Sequence, residues 1–358
     1  MADLQHMHHA LVLAGRALGR VAPNPAVGCV IVSREGRVVG RGWTAAGGRP
    51  HAETIALAQA GEAARGATAY VTLEPCAHHG QTPPCAEALI AADVARVVAA
   101  VEDPDPRVKG KGFDILRAGG VEVTTGVLAR EAADVNAGFF LRIQEDRPLV
   151  TLKVAQSRDG KTVPPPGTSR WITGEQARRF AHLLRAQHDA VLVGIGTVLA
   201  DDPELTCRLP GLEDRSPARL ILDTHLRLPL SSKLVQTARL VPTVVFTASE
   251  GGDSLRASDV EVLRIVHDEH GKPALRAILG VLAGRGCTRL LVEGGATVIS
   301  AFLREGYADR LELFTAPVTL GEAAGGQIPG LDDVRSNFTR TDERVLGPDL
   351  LESYAASA

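Results

Sequence analysis

The sequence predicts an α/β protein of two domains, and three observations carry that prediction. The chain has 358 residues, a length that fits about two domains. Short apolar runs alternate with helical patterns along the chain, which is typical of α/β domains. A polar stretch that closes with proline, residues 144–148, interrupts the alternation near the middle. We therefore expect one domain over residues 1–145 and a second over residues 146–358.

The first domain begins with a helix over residues 4–19, because the apolar residues Leu11, Val12, Ala14 and Leu18 are assigned to one helical face. A loop with two prolines follows at residues 21–25. Strands are then expected at residues 26–33, 37–42, 69–73, 94–101 and 121–124, and helices at residues 51–64, 86–92, 113–118 and 131–140. Ligands of open α/β sheets bind where strands end and helices begin, so a site is expected at those junctions.

The second domain continues the alternation without repeating the first. Its strands are expected at residues 149–155, 190–193, 219–222, 243–247, 260–265, 289–292 and 310–314, and its helices at residues 174–186, 273–283 and 297–304. Glycine-rich junctions follow two strands, at Gly194-Ile195-Gly196 and at Gly294-Gly295. Glycine lets the backbone approach a diphosphate, and the next helix start offers free N–H groups. The junctions predict a dinucleotide clamp, and because no G-x-G-x-x-G follows the first strand, a Rossmann fold is disfavoured.

Composition excludes several classes of function. With 45% hydrophobic residues the chain can build two cores, and its net charge of −3 predicts no general nucleic-acid surface. No apolar run approaches the ~18 residues of a membrane span, and the N-terminus lacks a signal-peptide pattern. Five cysteines are an odd number, of which two fit a metal site. We expect a reduced, cytoplasmic protein without structural disulfides.

The strongest chemical motif is His51-Ala52-Glu53, followed by Pro75-Cys76 and then Cys85. One histidine and two cysteines give zinc three protein ligands and leave a fourth position open, as in catalytic rather than structural sites. Zinc makes water nucleophilic at neutral pH, and Glu53 can carry protons without being a ligand. H-x-E followed by P-C and a second cysteine is typical of zinc deaminases. The motif predicts hydrolytic deamination with Glu53 as the catalytic residue.

Other interpretations of these residues stay open at this point. Taken alone, His51 would be a surface or helix-capping histidine and Cys76 a buried apolar residue. His78 or His79 could supply a fourth ligand and make the zinc structural. The protein would then be a zinc-stabilised binding module, which has no use for the carboxylate of Glu53.

The spacing of the two cysteines carries a resemblance to a known family. The matching segments are Pro23-Asn24-Pro25-Ala26-Val27-Gly28, His51-Ala52-Glu53 and Glu74-Pro75-Cys76-Ala77-His78-His79-Gly80-Gln81-Thr82-Pro83-Pro84-Cys85. With the second half, they resemble the bifunctional riboflavin-biosynthesis deaminase/reductases, whereas tRNA, cytidine and guanine deaminases usually have P-C-x-x-C. The resemblance implies three zinc ligands, His51, Cys76 and Cys85. It implies that Glu53 carries protons and that Asn24 hydrogen-bonds a pyrimidine ring, although Asn24 between prolines also fits a plain Asx turn.

Two positions depart from the family pattern. The position of Thr44 is often histidine in the family, and that of Gln81 is often lysine or arginine. Both residues are uncharged here. The positive charge that binds a substrate phosphate would then come from Arg49 or from a basic residue of a partner subunit.

The second half resembles a dihydrofolate-reductase-like reductase domain. The matching segments are Leu152-Lys153-Val154-Ala155, Asp159-Gly160-Lys161, Ser169-Arg170-Trp171-Ile172-Thr173, Gly196-Thr197-Val198-Leu199-Ala200-Asp201-Asp202-Pro203 and Val292-Glu293-Gly294-Gly295. The resemblance implies that NADPH is bound by Ala155, Trp171, Thr197, Asp201, Thr224, Gly295, Ala296, Thr297, Val298, Ile299, Ser300 and Ala301. It implies that the substrate is bound by Lys153, Ser169, Arg185, Leu205, Arg208 and Glu293. Without the resemblance, Trp171 would be a core residue and Arg185 and Arg208 solvated surface residues.

The resemblance implies a cytidine-deaminase-like α/β/α sandwich followed by a dihydrofolate-reductase-like α/β domain, in agreement with the α/β pattern of both halves. By resemblance the first domain deaminates 2,5-diamino-6-(5-phosphoribosylamino)pyrimidin-4(3H)-one with Zn²⁺. The second uses NADPH to reduce the ribosyl group of the product to ribityl. We expect a homo-oligomer, a dimer or a tetramer, that acts on a small molecule and binds neither nucleic acid nor membrane. The alternative is a nucleobase or nucleotide deaminase fused to a reductase of different specificity, for example of the pterin or folate type.

Overall fold

The computed structural model describes residues 2–79, 83–169 and 171–356. The chain divides into two compact units, Met1–Arg147 and Pro148–Ala358, close to the boundary placed at 145/146 from the sequence. Among the described residues, no helix has both the length and the apolar character needed to cross a membrane.

The first unit is a five-stranded sheet with helices on both faces. Its strands are β1 (Gly28–Val32), β2 (Val38–Trp43), β3 (Thr68–Val71), β4 (Arg96–Ala99) and β5 (Glu122–Thr125). Its helices are α1 (Ala2–Gly15), α2 (Ala52–Ala60), α3 (Cys85–Ala91), α4 (Lys111–Ala118), α5 (Ala129–Val135) and α6 (Ala137–Glu145). The strand order is β2-β1-β3-β4-β5, with β1 antiparallel to both neighbours and β3, β4 and β5 parallel.

The central strand β1 is buried on both faces, which explains its continuous apolar run. Cys29 and Ile31 enter the core shared with α2, α3 and α4, whereas Val30 and Val32 enter the core beneath α1. The α/β/α sandwich predicted for this unit is confirmed by that arrangement of cores.

One predicted helix of this unit is two helices in the structure. The helix expected over residues 131–140 is broken at Asn136 between α5 and α6. The buried Asn136 amide accepts a hydrogen bond from the Ala26 N–H and donates one to the Ala26 carbonyl. This contact over 110 residues in sequence fixes the break, and it also holds the loop that leads into β1.

The second unit is a nine-stranded sheet with a core on each face. Its strands are β6 (Leu149–Ser157), β7 (Ala190–Gly194), β8 (Ala218–Leu222), β9 (Thr243–Thr247), β10 (Glu261–Arg264), β11 (Arg289–Val292), β12 (Arg310–Ala316), β13 (Phe338–Leu346) and β14 (Asp349–Ala356). Its helices are α7 (Glu175–Ala186), α8 (Ile195–Asp201), α9 (Lys233–Gln236), α10 (Asp253–Arg256), α11 (Leu275–Gly284), α12 (Ala296–Arg304) and α13 (Leu331–Asn337). The order is β10-β9-β8-β7-β11-β6-β12-β14-β13, and β14 pairs antiparallel with both neighbours.

The position of β6 in this sheet determines where the second site lies. It pairs in parallel with β11 and β12, so the carboxyl ends of these strands meet at one edge. Leu152 and Val154 point into one core, which leaves Lys153 and Ala155 on the opposite face, the face of α7. The α/β architecture predicted for this unit is confirmed, although the strands β13 and β14 and the helices α8, α9, α10 and α13 were not predicted.

Candidate active sites in the two units

Three side chains of the first unit converge as the sequence predicts for a metal site. His51 is the N-cap of α2, Cys85 is the first residue of α3, and Cys76 lies in the loop after β3. The His51 Nδ1 atom lies 3.3 Å from Cys85 Sγ and 3.6 Å from Cys76 Sγ. All three potential ligand atoms lie within 4.8 Å of one another.

The electrostatics of this cluster suit a divalent cation with soft ligands. Hydrogen bonds from the Cys85 thiol and from His51 outweigh burial and lower the pKa of Cys76 to about 4. The Cys85 backbone N–H also donates to Cys76 Sγ at 3.3 Å. The contact with Cys76 and burial raise the pKa of Cys85. One thiolate is thus already favoured, and a zinc ion would supply the charge that deprotonates the second. This donor set fits zinc with one ligand position left over.

Glu53 lies in the first turn of α2, directly beside the cluster. Its side chain is buried and forms a hydrogen bond with Cys85. Burial, followed by the charge of Cys76, raises the pKa of Glu53 to about 7. A carboxyl group with that pKa exchanges protons readily at neutral pH, which is what a proton carrier needs.

Asn24 lies in a loop that packs against the approach to His51. A Cβ built on Gly48 would lie 1.9 Å from the Asn24 Nδ2 atom, so the two residues are in direct contact. Gly48 has φ +86°, which also favours glycine. The segment before His51 therefore packs directly against the loop that carries Asn24 and helps to fix the position of the Asn24 side chain.

Thr44 does not take the role of the family's histidine. Its side chain is buried, and its hydroxyl accepts a hydrogen bond from the Val27 N–H and donates to the Pro25 carbonyl. Thr44 thus braces the loop that carries Asn24. Gln81, the other departure, lies outside the described residues. The hydrogen bond with Cys76 raises the pKa of His51, and the charge of half-buried Arg49 opposes that effect, so Arg49 is near His51.

Neither histidine between the cysteines joins the metal cluster, in the part of the chain that is described. His79 is exposed, and its Nε2 atom lies 3.5 Å from a carboxylate oxygen of Glu87. The structure therefore does not favour a fourth protein ligand among the described residues, which weakens the structural-zinc interpretation.

Glu74 is a functional anchor that the sequence reasoning missed. Its buried carboxylate accepts hydrogen bonds from the backbone N–H groups of Asp103, Gly110 and Gly112. A Cβ on Gly112 would lie 2.0 Å from the Pro75 carbonyl oxygen. The loop after β4 is thus fixed against the Pro75-Cys76 dipeptide. The sequence did show an acidic residue two positions before the potential ligand Cys76. It did not show the role of Glu74, because the backbone groups that Glu74 binds are distant in sequence.

The second unit contains a pocket of about 300 Å³ at the carboxyl ends of β6 and β11. Nine of the predicted cofactor and substrate residues line it: Lys153, Ala155, Trp171, Arg185, Thr197, Asp201, Leu205, Arg208 and Glu293. Side chains that the sequence did not single out line it as well, among them Arg178, His182 and Lys233. The pocket thus gathers predicted residues that are separated by up to 140 positions in the chain.

A buried ion pair forms the floor of this pocket. Arg185 Nε and Nη2 donate to the two carboxylate oxygens of Glu293 at 2.6 and 2.8 Å. Burial alone would raise the pKa of Glu293, but Arg185 and then Lys153 lower it to about 2. Burial lowers the pKa of Lys153, and the charge of Glu293 opposes that effect. The cluster thus holds one carboxylate between two cations. This arrangement excludes the alternative interpretation that Arg185 is a solvated surface residue.

The two glycine-rich junctions meet, as the predicted clamp requires. A Cβ on Gly194 would lie 2.9 Å from Val298, and a Cβ on Gly295 would lie 3.7 Å from Thr197 Oγ1. Gly196 faces open space. Gly295 is the N-cap of α12, whose first N–H groups have no partner within the helix. The junctions leave room for an anionic group next to these donors.

The remaining predicted cofactor residues lie in different environments, and some of their side chains pack in the core. Ile299 is buried in the core and the Ser300 hydroxyl donates to the Pro329 carbonyl, so these side chains serve the fold. Val298 and Ala301 also pack against the core. Thr224 follows β8, where its carbonyl accepts hydrogen bonds from two side chains. Ala296 and Thr297 form the first turn of α12.

Of two further predicted residues, Trp171 lines the pocket at its rim and Ser169 contacts Trp171. Trp171 is 51% exposed, so it is not the core residue of the alternative interpretation, and the Arg178 guanidinium lies 5.1 Å from its ring centroid. Ser169 is exposed, and its hydroxyl accepts the Trp171 N–H. The two residues therefore belong to one local turn beside the pocket.

Comparison with known families matches each unit to a different domain. Residues 1–101 match the cytidine and deoxycytidylate deaminase zinc-binding region, and residues 148–351 match the RibD C-terminal domain. The first match covers all three residues of the metal cluster, and the second covers the pocket.

Relatives match over nearly the whole chain. Riboflavin biosynthesis protein RibD of Aquifex aeolicus is 43% identical, covering 98% of this chain and 97% of its own. The Escherichia coli protein of that name is 40% identical, covering 98% of both chains. Among solved structures, Acinetobacter baumannii RibD is 40% identical with a TM-score of 0.88, covering 100% of this chain and 99% of its own. A Thermotoga maritima structure, described as a diaminohydroxyphosphoribosylaminopyrimidine deaminase/5-amino-6-(5-phosphoribosylamino)uracil reductase, is 36% identical with a TM-score of 0.87, covering 99% of both chains.

Proposed function

The chain belongs to the RibD family of riboflavin biosynthesis proteins, and from that premise we propose that it carries out two successive reactions of this pathway. The first unit hydrolyses 2,5-diamino-6-(5-phosphoribosylamino)pyrimidin-4(3H)-one to 5-amino-6-(5-phosphoribosylamino)uracil and ammonia. The second unit reduces the ribosyl group of that product to ribityl. The observation that carries the proposal is the joint presence of a His-Cys-Cys cluster with a buried carboxyl group and of a separate cationic pocket.

In the deaminase site each chemical role of the reaction has a residue of this chain. His51, Cys76 and Cys85 would hold the zinc ion, which would act as a Lewis acid and make water nucleophilic at neutral pH. Glu53 takes a proton from the attacking water and returns it to the departing amine, so that ammonia leaves and a carbonyl remains. Asn24, fixed by its contact with Gly48, hydrogen-bonds the pyrimidine ring.

In the reductase pocket NADPH supplies the hydride, and the protein binds and orients the reactants. The meeting of the two glycine junctions beside Thr197 supports binding of the diphosphate there, and Trp171 offers an aromatic face at the rim. Lys153 and Glu293 bind the sugar, and Arg185 and Arg208 supply positive charge for the phosphate. Arg185 also holds Glu293 through its bidentate hydrogen bonds.

A two-step assay tests the proposal. The diaminopyrimidine phosphate is added to the zinc-loaded protein with NADPH, and ammonia and the NADPH absorbance are followed together. One ammonia should appear for each NADPH oxidised, with ammonia appearing first. Release of ammonia from free pyrimidines or purines but not from this substrate would contradict the proposal, as would NADPH oxidation with a pterin or folate alone.

We also propose that the protein works in the cytoplasm as a homo-oligomer. All five cysteines are free thiols, which suits a reducing compartment. Strand β13 forms an edge of the large sheet, and an edge strand can pair with a second copy. Light scattering of the purified protein would test for a dimer or a tetramer, and a monomer would contradict that part of the proposal.

A further inference from the structure

Residues 204–208 pass through the reductase pocket without forming a helix or a strand. The stretch, called here the pocket segment, carries Leu205 and Arg208. Leu205 is buried and has φ +56°, a left-handed conformation that costs a leucine free energy unless its surroundings impose it. Such a backbone needs contacts that hold it, and backbone strain of this kind is often found at functional sites.

Side chains from other elements hold the pocket segment by its backbone. Arg219 Nη1 donates to the Glu204 carbonyl at 3.3 Å, and the Cys207 N–H donates to the Ser216 hydroxyl at 3.1 Å. Arg185 Nη1 donates to the Thr206 carbonyl at 3.0 Å. The contacts fix the segment before and after Leu205, so its path does not depend on regular secondary structure.

His182 adds the contact closest to Arg208. It lies one turn before Arg185 on α7, and its Nδ1 atom is 3.0 Å from the Thr206 carbonyl oxygen and 3.3 Å from the Arg208 backbone nitrogen. In one neutral tautomer Nδ1 donates to the carbonyl, and in the other it accepts the Arg208 N–H. Burial and the charges of Arg185 and Arg208 lower the pKa of His182, which favours the neutral ring. Either tautomer binds the segment.

We infer that His182 is a positioning residue of the reductase pocket, which holds the backbone of Thr206–Arg208 so that the Arg208 guanidinium is available to the substrate's phosphate. The inference rests on the proposed reductase function. Arg208 is half-exposed and its guanidinium pairs with the Glu204 carboxylate at 2.8 Å, so a residue of the pocket segment itself orients the Arg208 side chain. Its backbone, however, is anchored through His182.

The first test compares His182→Ala with His182→Asn in the full-length, zinc-loaded protein. The amide oxygen and nitrogen of asparagine are the same number of bonds from Cβ as the Nδ1 atom of histidine. Asparagine can therefore restore the hydrogen bond to the pocket segment. His182→Ala should raise KM for 5-amino-6-(5-phosphoribosylamino)uracil by about three- to tenfold, the factor that one hydrogen bond is worth. The kcat and the KM for NADPH should stay within about twofold, and His182→Asn should recover most of the loss. Arg179→Ala, an exposed position on α7, is the matched control.

A double-mutant cycle with Arg208→Ala separates positioning from general stabilisation. If His182 acts through Arg208, adding His182→Ala to Arg208→Ala produces no further rise in KM. The single His182→Ala variant should also match the wild type on the same substrate without its phosphate. Additive effects, an equal loss on the dephosphorylated substrate, or a fall in kcat with unchanged KM would overturn the inference alone. A wild-type protein that oxidises no NADPH with the uracil substrate would overturn the proposed function as well.

Discussion

The two sites of this chain are built in different ways from its sequence. The metal cluster takes its ligands and its carboxylate from residues 51–85, at the ends of neighbouring elements. The reductase pocket collects side chains from residues 153–314, and it exists because the strand order sets β6 beside β11. The first site is therefore a local motif at the ends of a few elements. The second site is formed by side chains that also pack the interior of its unit. Substitutions at the first site should change chemistry, whereas substitutions in the buried Arg185–Glu293 pair of the second should change chemistry and stability together.

The largest effect is expected from Glu53→Gln. The amide keeps the size of the carboxyl group but cannot carry protons, so ammonia release should fall by about 10²- to 10⁴-fold. Metal analysis should still find one zinc per chain, because Glu53 is not among the three ligating side chains. NADPH oxidation with the deaminated substrate should be unchanged and serves as the internal control. Full ammonia release with zinc retained would remove Glu53 from the mechanism.

Glu293→Gln tests the claim that the second site is also structural. It leaves Arg185 and Lys153 without their buried counter-charge, and breaking such a pair costs about 3–5 kcal/mol. The reductase activity should be lost and the unfolding transition of this unit should shift down, while ammonia release persists.

The control for Glu293→Gln is Glu261→Gln, which breaks a second bidentate pair with Arg285. That pair is about half-exposed, so its loss should cost less than ~1 kcal/mol. Equal destabilisation by the two variants would contradict the difference in burial on which the comparison depends.

Gly48→Ala should affect the deaminase through position alone. The new Cβ would collide with Asn24 Nδ2, and misplacing a binding group by about 1 Å costs roughly ten- to a hundredfold in rate. Gly47→Ala is the matched control, because Gly47 also has positive φ but no atom within 4 Å of the added Cβ. Both variants should keep zinc. If they lost the same ammonia-release activity, backbone strain and not Asn24 would be responsible.

The smallest effect is a pH dependence of stability at His188. Burial, followed by the charge of Arg289, lowers the pKa of His188 to about 3 in the folded state. The unfolded chain protonates this histidine near pH 6.5, so its contribution to stability is complete above that pH and is lost as the pH falls. Measured by urea unfolding, the stability gap between the wild type and His188→Asn should narrow by about 1.4 kcal/mol from pH 7.5 to 5.5. A constant gap would mean that the folded protein protonates His188 as readily as the unfolded chain.

The sequence was most informative where the chemistry is local. His51, Cys76 and Cys85 were predictable because each stands at or near the end of an element and their residue types suit one metal, and Glu53 because it follows His51 by two residues. Asn136 and Glu74 were not, because their partners, Ala26 and the loop after β4, are distant in sequence. His182 was missed for the same reason, since nothing on α7 alone indicates that the pocket segment passes it.

The last hairpin was missed for a different physical reason. Strand β13 has six consecutive charged or polar residues, 339–344, and is exposed along most of its length, so no apolar period marks it. A shift in register between Arg340 and Asp342 interrupts its pattern further. It is held mainly by pairing with β14, which only the folded sheet supplies.

Removal of zinc from the wild-type protein tests most directly whether two independent sites share this chain. After treatment with a chelator, ammonia release from the diaminopyrimidine phosphate should cease, while NADPH oxidation with 5-amino-6-(5-phosphoribosylamino)uracil should continue at its original rate. Adding back zinc should restore the first activity. Loss of both activities with the fold intact, or ammonia release that persists in the zinc-free protein, would contradict the account.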